Sequence, residues 1–128
     1  MPTFVLVFLG GGLGSASRYG VACLVNRFLT HHFPFATLAV NLLGCFAMGF
    51  LAGFLEGRVH LSHSVRPLLG VGFLGGFTTF SAFSVETMRL AHQKAWWAAS
   101  FNVSASVVGC LSAVWLGFLL GKWLCPNR

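Results

Sequence analysis

Acidic side chains are almost missing from this chain. Glu56 and Glu86 are the only two in 128 residues. A reaction run by paired carboxylates is therefore excluded. No Ser/His/Asp grouping and no cofactor fingerprint replaces them. The glycine run GGGLG at 10–14 lacks the G-K-[ST] ending of a phosphate loop and opens an apolar segment instead. Enzymatic activity is not expected. Charge of any sign is scarce, at 8% of residues, against about 25% in an ordinary soluble domain. Cysteine is limited to Cys23, Cys45, Cys110 and Cys125. No two form a C-x-x-C pair, and three lie in apolar segments, where cysteine acts as a small hydrophobe. The net charge of +6 does not point to nucleic acid, because the bases do not gather into a patch.

What is present is apolar. Hydrophobic residues make up 56% of the chain, with 16 glycines and 14 phenylalanines. A membrane-crossing helix needs about 20 largely apolar residues. Four segments of one domain qualify, at about 3–28, 36–55, 67–90 and 96–123. The first reads as a retained transmembrane helix rather than a signal peptide, since it lacks a basic leading region. The linkers are short and hold His31-His32, Glu56 to Arg66, and 91–95. Pro34 and Pro67 stand at span boundaries. Trp96, Trp97 and Trp123 stand where an interfacial aromatic belt belongs.

Four spans put both ends of the chain on one side of the bilayer. The bases of that side are Arg58, Arg66, Lys122 and Arg128; those of the other are Arg27, Arg89 and Lys94. So even a distribution specifies no orientation. A weak signal and dual topology, in which the chain inserts both ways and the two forms pair, explain it equally well. The small-x-x-x-small pairs Gly10/Gly14, Gly49/Gly53, Gly72/Gly76 and Gly117/Gly121 predict close helix packing, within or between subunits.

The stretch GGFTTFSAFS at 75–84 is the anomaly. Two glycines and four hydroxyl residues occupy the middle of a span, where every backbone group needs an internal partner. Either the helix is kinked and the hydroxyls bond their own carbonyls, or it is broken and the freed backbone faces an ion. Phe80 and Phe83 share one face after the break, and Ser81 and Ser84 another. Asn41 lies deep in the second span, as a donor to an anion or as a bridge between helices. Asn102 and Ser106, four apart, share a face of the fourth. Arg18 lies inside the first span, as a functional residue or a helix-end cap. Glu86, three before Arg89, reads as half of a local ion pair.

GGFTTFSAFSVE resembles the G-G-x-T-T-F-S-T-F-S-x-E signature of the Fluc fluoride channels, the CrcB family. GGGLGSASR at 10–18, VNLLG at 40–44 and NVSASVVG at 102–109 agree with its other motifs in order, so the resemblance covers the whole chain. It implies an all-α membrane protein of four transmembrane helices with the third broken mid-span. It implies an antiparallel, dual-topology homodimer in the cell membrane. The implied activity is passive, fluoride-selective export that lowers fluoride toxicity. The resemblance also implies a structural sodium ion held by main-chain carbonyls of Gly75 and Thr78. Phe80 and Phe83 match the pore phenylalanines, Asn41 the pore asparagine and Ser106 a pore serine. Thr79, Ser81 and Asn102 complete the candidate ion path, and Arg18 and Glu86 are candidates for a structural or vestibule role. Ala82 departs from the signature, which has threonine there, and Cys110 stands where some relatives have serine. The alternative is a small dual-topology transporter coupled to protons, for which Glu86 is the only carboxylate in any span.

Overall fold

The computed structural model describes residues 2–29, 33–56 and 58–124. His31, His32, Cys125 and Arg128 lie outside them. The described residues form helices and no strand. They are α1 (Thr3–Phe28), α2 (Phe35–Leu55), α3 (Val59–Val65), a π-helical stretch (Arg66–Leu74), α4 (Gly75–Phe77), α5 (Phe80–His92) and α6 (Trp96–Leu124). α3 to α5 run on as one interrupted span, so four segments are long and apolar enough to cross a membrane, the third being His63–His92. The chain is a multi-pass membrane protein. The second linker is shorter than its composition suggests, because α3 already begins at Val59. Pro67 lies just inside the π-helical stretch. It has no N–H for the carbonyl four residues back, so the ordinary ladder fails there and the wider turn takes over.

Lipid replaces water around these helices, so burying apolar side chains against one another brings little gain. Close van der Waals fit of backbones must hold them instead. The glycine pairs supply that fit within one chain. A methyl group at Gly10 would overlap the Leu68 carbonyl oxygen, and one at Gly14 the Phe73 carbonyl oxygen. Gly72 and Gly76 return the contact against Gly10 and Gly11. α1 therefore lies parallel to the first half of the third span. On the other flank, Gly49 and Gly53 of α2 meet the carbonyls of Val114 and Phe118. Gly117 and Gly121 of α6 meet those of Phe46 and Phe50. The α2–α6 seam is the most extensive contact in the molecule, and its two helices are also parallel.

The outer surfaces are apolar, with Phe4, Phe8, Leu13, Leu111 and Trp115 all exposed. They fit a hydrocarbon solvent. Trp96, Trp97 and Trp123 are exposed near the ends of α6. At one end of the bundle, Lys122 pairs with Glu56 at 3.0 Å, and Arg58 lies 4.5 Å over the Phe54 ring. At the other end α5 closes with a bond from the Ala95 N–H to the Leu90 carbonyl, with Lys94 at φ 59°, the left-handed stop that usually falls to glycine.

Candidate ion path

The third span breaks at Thr78 and Thr79. Thr78 has φ −77° and ψ 158°, and Thr79 has φ −151° and ψ 113°, so both are extended. Gly75 and Gly76, the expected weak point, stay helical. Gly76 is needed for packing, since a methyl there would lie 2.5 Å from the Gly11 carbonyl oxygen.

A residue from another span causes the break to fall where it does. Asn41 of α2 donates from Nδ2 to the Thr79 carbonyl at 3.0 Å and accepts the Thr79 N–H at 2.8 Å. This two-point clamp gives Thr79 the partners that an unbroken helix would have given it. The Thr79 N–H is thereby withdrawn from the Gly75 carbonyl, its partner in a continuous helix. Asn41 is thus a bridge between helices. Its amide also has a second N–H beyond the one used by Thr79.

The hydroxyls around the break are mostly spoken for. Thr78 Oγ1 donates to the Leu74 carbonyl at 3.0 Å. Thr79 Oγ1 caps α5 by accepting the Ala82 N–H at 3.2 Å, and it lies 3.2 Å from Ser81 Oγ. Ser84 donates to the Phe80 carbonyl at 2.8 Å.

An open cavity of about 390 Å³ lies against this break. It is lined by Asn41 and Cys45 from α2, Thr78, Thr79, Phe80 and Phe83 from the third span, and Ser106, Val107, Cys110 and Leu111 from α6. Six of the residues singled out in the sequence therefore meet in one place: Asn41, Thr78, Thr79, Phe80, Phe83 and Ser106. The Phe80 and Phe83 rings are 5.3 Å apart and tilted by 44°. Phe80 is 78% exposed, so its own chain leaves it uncovered. Ser106 is buried, and its hydroxyl makes no hydrogen bond among the described residues. The cavity's polar groups are all neutral.

Five candidates stand outside this lining. Gly75 lines a separate cavity with Met48, Leu51 and Arg66. Ser81 is exposed and lies beside Thr79. Asn102 is buried and donates to Thr87 Oγ1 at 2.8 Å, which ties α6 to α5. Arg18 lines a second cavity, with Thr37, Thr79 and Ala82. Its Nη1 lies 3.5 Å from the Thr78 carbonyl oxygen. Thr79 is common to both cavities. Glu86 lines a third with Asn26, Arg89 and Gln93. The expected Glu86–Arg89 ion pair is not formed. Glu86 Oε1 instead accepts from Thr37 Oγ1 of α2 at 2.8 Å, and its buried Oε2 has no partner. Thr37 sits across the α2–α5 contact, and Arg89 lines the same cavity as Glu86 without pairing with it.

Thr37, Cys45 and Thr87 were not among the sequence candidates. The first two carried a signal: 37, 41 and 45 are four apart on α2, as 102, 106 and 110 are on α6, so each set shares a face. Gly49 faces Val114 and Gly53 faces Phe118. The same offset along the parallel seam pairs Asn41 with Ser106 and Cys45 with Cys110.

Residues 5–118 match the family model described as CrcB-like protein, Camphor Resistance (CrcB). The chain is 50% identical to a protein of Paracoccus denitrificans (strain Pd 1222) named fluoride-specific ion channel FluC, over 95% of this chain and 96% of the relative. It is 44% identical to a protein of the same name from Coxiella burnetii (strain Dugway 5J108-111), over 94% and 98%. It is 40% identical to fluoride-specific ion channel FluC 1 of Bacillus cereus (strain ATCC 10987 / NRS 248), over 98% and 91%. With its glycine seams, its third span broken mid-membrane and a model match spanning all four helices, the chain belongs to the CrcB family.

Proposed function

We propose that this protein is a fluoride-selective channel, not an enzyme, that lets fluoride leave the cytoplasm passively. The observation that carries the reading is the cavity at the mid-span break, which offers an anion neutral donors and no charge. Fluoride is small and strongly hydrated, and stripping a compact ion of its water costs tens of kcal/mol in an apolar medium unless donors replace that water. The second N–H of Asn41 and the free hydroxyl of Ser106 are such donors, and both belong to buried residues. A lysine in their place would hold the anion too firmly, whereas conduction requires that each site also release it. The ring edges of Phe80 and Phe83 carry partial positive charge, and both rings, tilted by 44° to each other, line the cavity. The relatives' names agree with this reading.

The working unit of this proposal is an antiparallel, dual-topology homodimer. Its support is the near balance of basic residues between the two sides and the uncovered Phe80 at mid-membrane. A structural sodium ion at the dimer centre is part of the same proposal, held by the carbonyls of Gly75 and Thr78. Two features favour it. The Gly75 carbonyl is released when the Thr79 N–H turns to Asn41, and neutral carbonyl oxygens suit an alkali cation. The proximity of Arg18 to the Thr78 carbonyl bears against it, since a guanidinium competes for that oxygen. One chain offers two such oxygens, and a second copy doubles them. When bound, the ion supplies a fixed positive charge and a crosslink between copies.

The test is fluoride efflux from liposomes holding the pure protein, with chloride efflux as the control. The channel reading expects fast fluoride flux without a pH gradient, unchanged in kind by Glu86→Gln. Flux that follows the pH gradient and vanishes in Glu86→Gln would instead establish the proton-coupled transporter.

A further inference from the structure

The cavity carries a second chemistry in its wall. Cys45 and Cys110 both line it, and neither is in a disulfide. The α2–α6 seam puts them opposite each other, in the layer between the Asn41/Ser106 pair and the Gly49/Val114 contact. Both side chains open onto the same cavity from facing helices. The helices that carry them cannot drift apart without losing the backbone contacts of Gly49, Gly53, Gly117 and Gly121. The pair is therefore a dithiol of fixed spacing on parallel helices.

Its surroundings select the ligand. On α6 the layer is flanked by the apolar Val107 and Leu111, so a product that keeps a permanent net charge there, unlike an ion passing the donors Asn41 and Ser106, is penalised. Two thiolates around a single monovalent soft cation would leave a net negative charge there. A trivalent arsenical does not. The oxide R–As=O reacts with two thiols to form two As–S bonds. The As=O bond is lost, and its oxygen leaves as one water carrying both thiol protons. Arsenic stays trivalent, no oxidant or reductant takes part, and the product is neutral.

We propose that Cys45 and Cys110 form a dithiol site that captures one neutral trivalent arsenical, bridging α2 to α6, and that its capture closes the ion path. The bridging rests on the side-chain geometry alone. The closure also rests on reading the cavity as the fluoride path.

Phenylarsine oxide is the probe, applied to the full chain carrying Cys23→Ser and Cys125→Ser so that only this pair remains. Intact-mass measurement is expected to find one phenylarsenic per chain, with loss of one water. A competing dithiol removes it and a monothiol does not. Cys45→Ser and Cys110→Ser each abolish stable capture. In liposomes, the reagent is expected to lower fluoride efflux at least tenfold in the pair-only protein. Each serine variant, compared with its own untreated rate, is expected to be unaffected. Absence of the adduct, or its persistence in either serine variant, would overturn the site. An adduct that leaves efflux intact would overturn the closure. Efflux before the reagent is added tests the channel reading separately.

Discussion

Replacing Asn41 by leucine keeps the volume and removes both contacts with Thr79. The Thr79 N–H and carbonyl, now bonded at 2.8 and 3.0 Å, are then left facing apolar neighbours. Each backbone group stranded in that way costs about 1–3 kcal/mol, so the pair costs about 2–6 kcal/mol. On the proposed channel reading, the same substitution removes a donor to the passing ion. A hydrogen bond to a charged partner is worth about 1.5–3 kcal/mol, and about 1.4 kcal/mol is a tenfold change. Fluoride flux should therefore fall about 10- to 100-fold in folded protein. Ser106→Ala separates the two effects. Its hydroxyl makes no hydrogen bond among the described residues, so its loss is close to neutral for stability, but it removes a donor from the same cavity. Thermal unfolding in detergent, followed by tryptophan fluorescence, reads the stability. Efflux to a fluoride electrode, scaled to the protein incorporated, reads the flux. Asn41→Leu should lower both, and Ser106→Ala only the flux. Undiminished fluoride flux in the folded fraction of Asn41→Leu would refute the reasoning, because Asn41 would then be only a clamp.

Gly49→Val should abolish a monodisperse fold on size exclusion, since the Val114 carbonyl in its way is backbone and cannot yield as a side chain would. The cost should exceed the about 1–3 kcal/mol of ordinary overpacking. Thr79→Ala removes the cap on α5 and should lower stability by about 1 kcal/mol, while Thr79→Ser restores it in the same thermal assay. Lys122→Gln breaks an ion pair whose side chains are 46% and 43% exposed. Its effect should stay below about 1 kcal/mol and fade in high salt, as unfolding at two ionic strengths would measure.

Much of the architecture was legible because a membrane leaves few alternatives. Apolar runs of span length can only be helices there, and glycines repeated every fourth residue on such runs have little to do but let backbones touch. The sequence does not say which glycine stripe faces which. That emerges only when the parallel pairing of first with third and second with fourth span is in hand. The break in the third span was legible as an event but not as a position. Glycine is a poor helix former in water, so Gly75 and Gly76 looked like the weak point. In the fold both stay helical, Gly76 against Gly11 of α1, and the chain opens at Thr78–Thr79 because Asn41, far away in sequence, replaces the lost bonds. Propensity is local and that partner is not. Glu86 repeats the lesson. The nearest opposite charge in sequence was Arg89, but the α2–α5 contact brought Thr37 instead.

On the proposed channel reading, the position of the ion path follows from what the α2–α6 seam carries along its length. Where it carries Gly49, Gly53, Gly117 and Gly121, the two backbones touch and no space remains. Toward the other end the layers become Cys45/Cys110 and then Asn41/Ser106, all four of which line the cavity. The cavity occupies that stretch. The glycine contacts cannot loosen without losing the whole seam, so they act as the anchor from which the open stretch is held at fixed width. Asn41 then reaches from this wall to the broken third span and fixes the opposite side. A path with both walls fixed in this way separates a small anion from a larger one by the cost of widening, with no charged residue needed in its lining. That agrees with a cavity whose polar groups are an amide, hydroxyls and thiols.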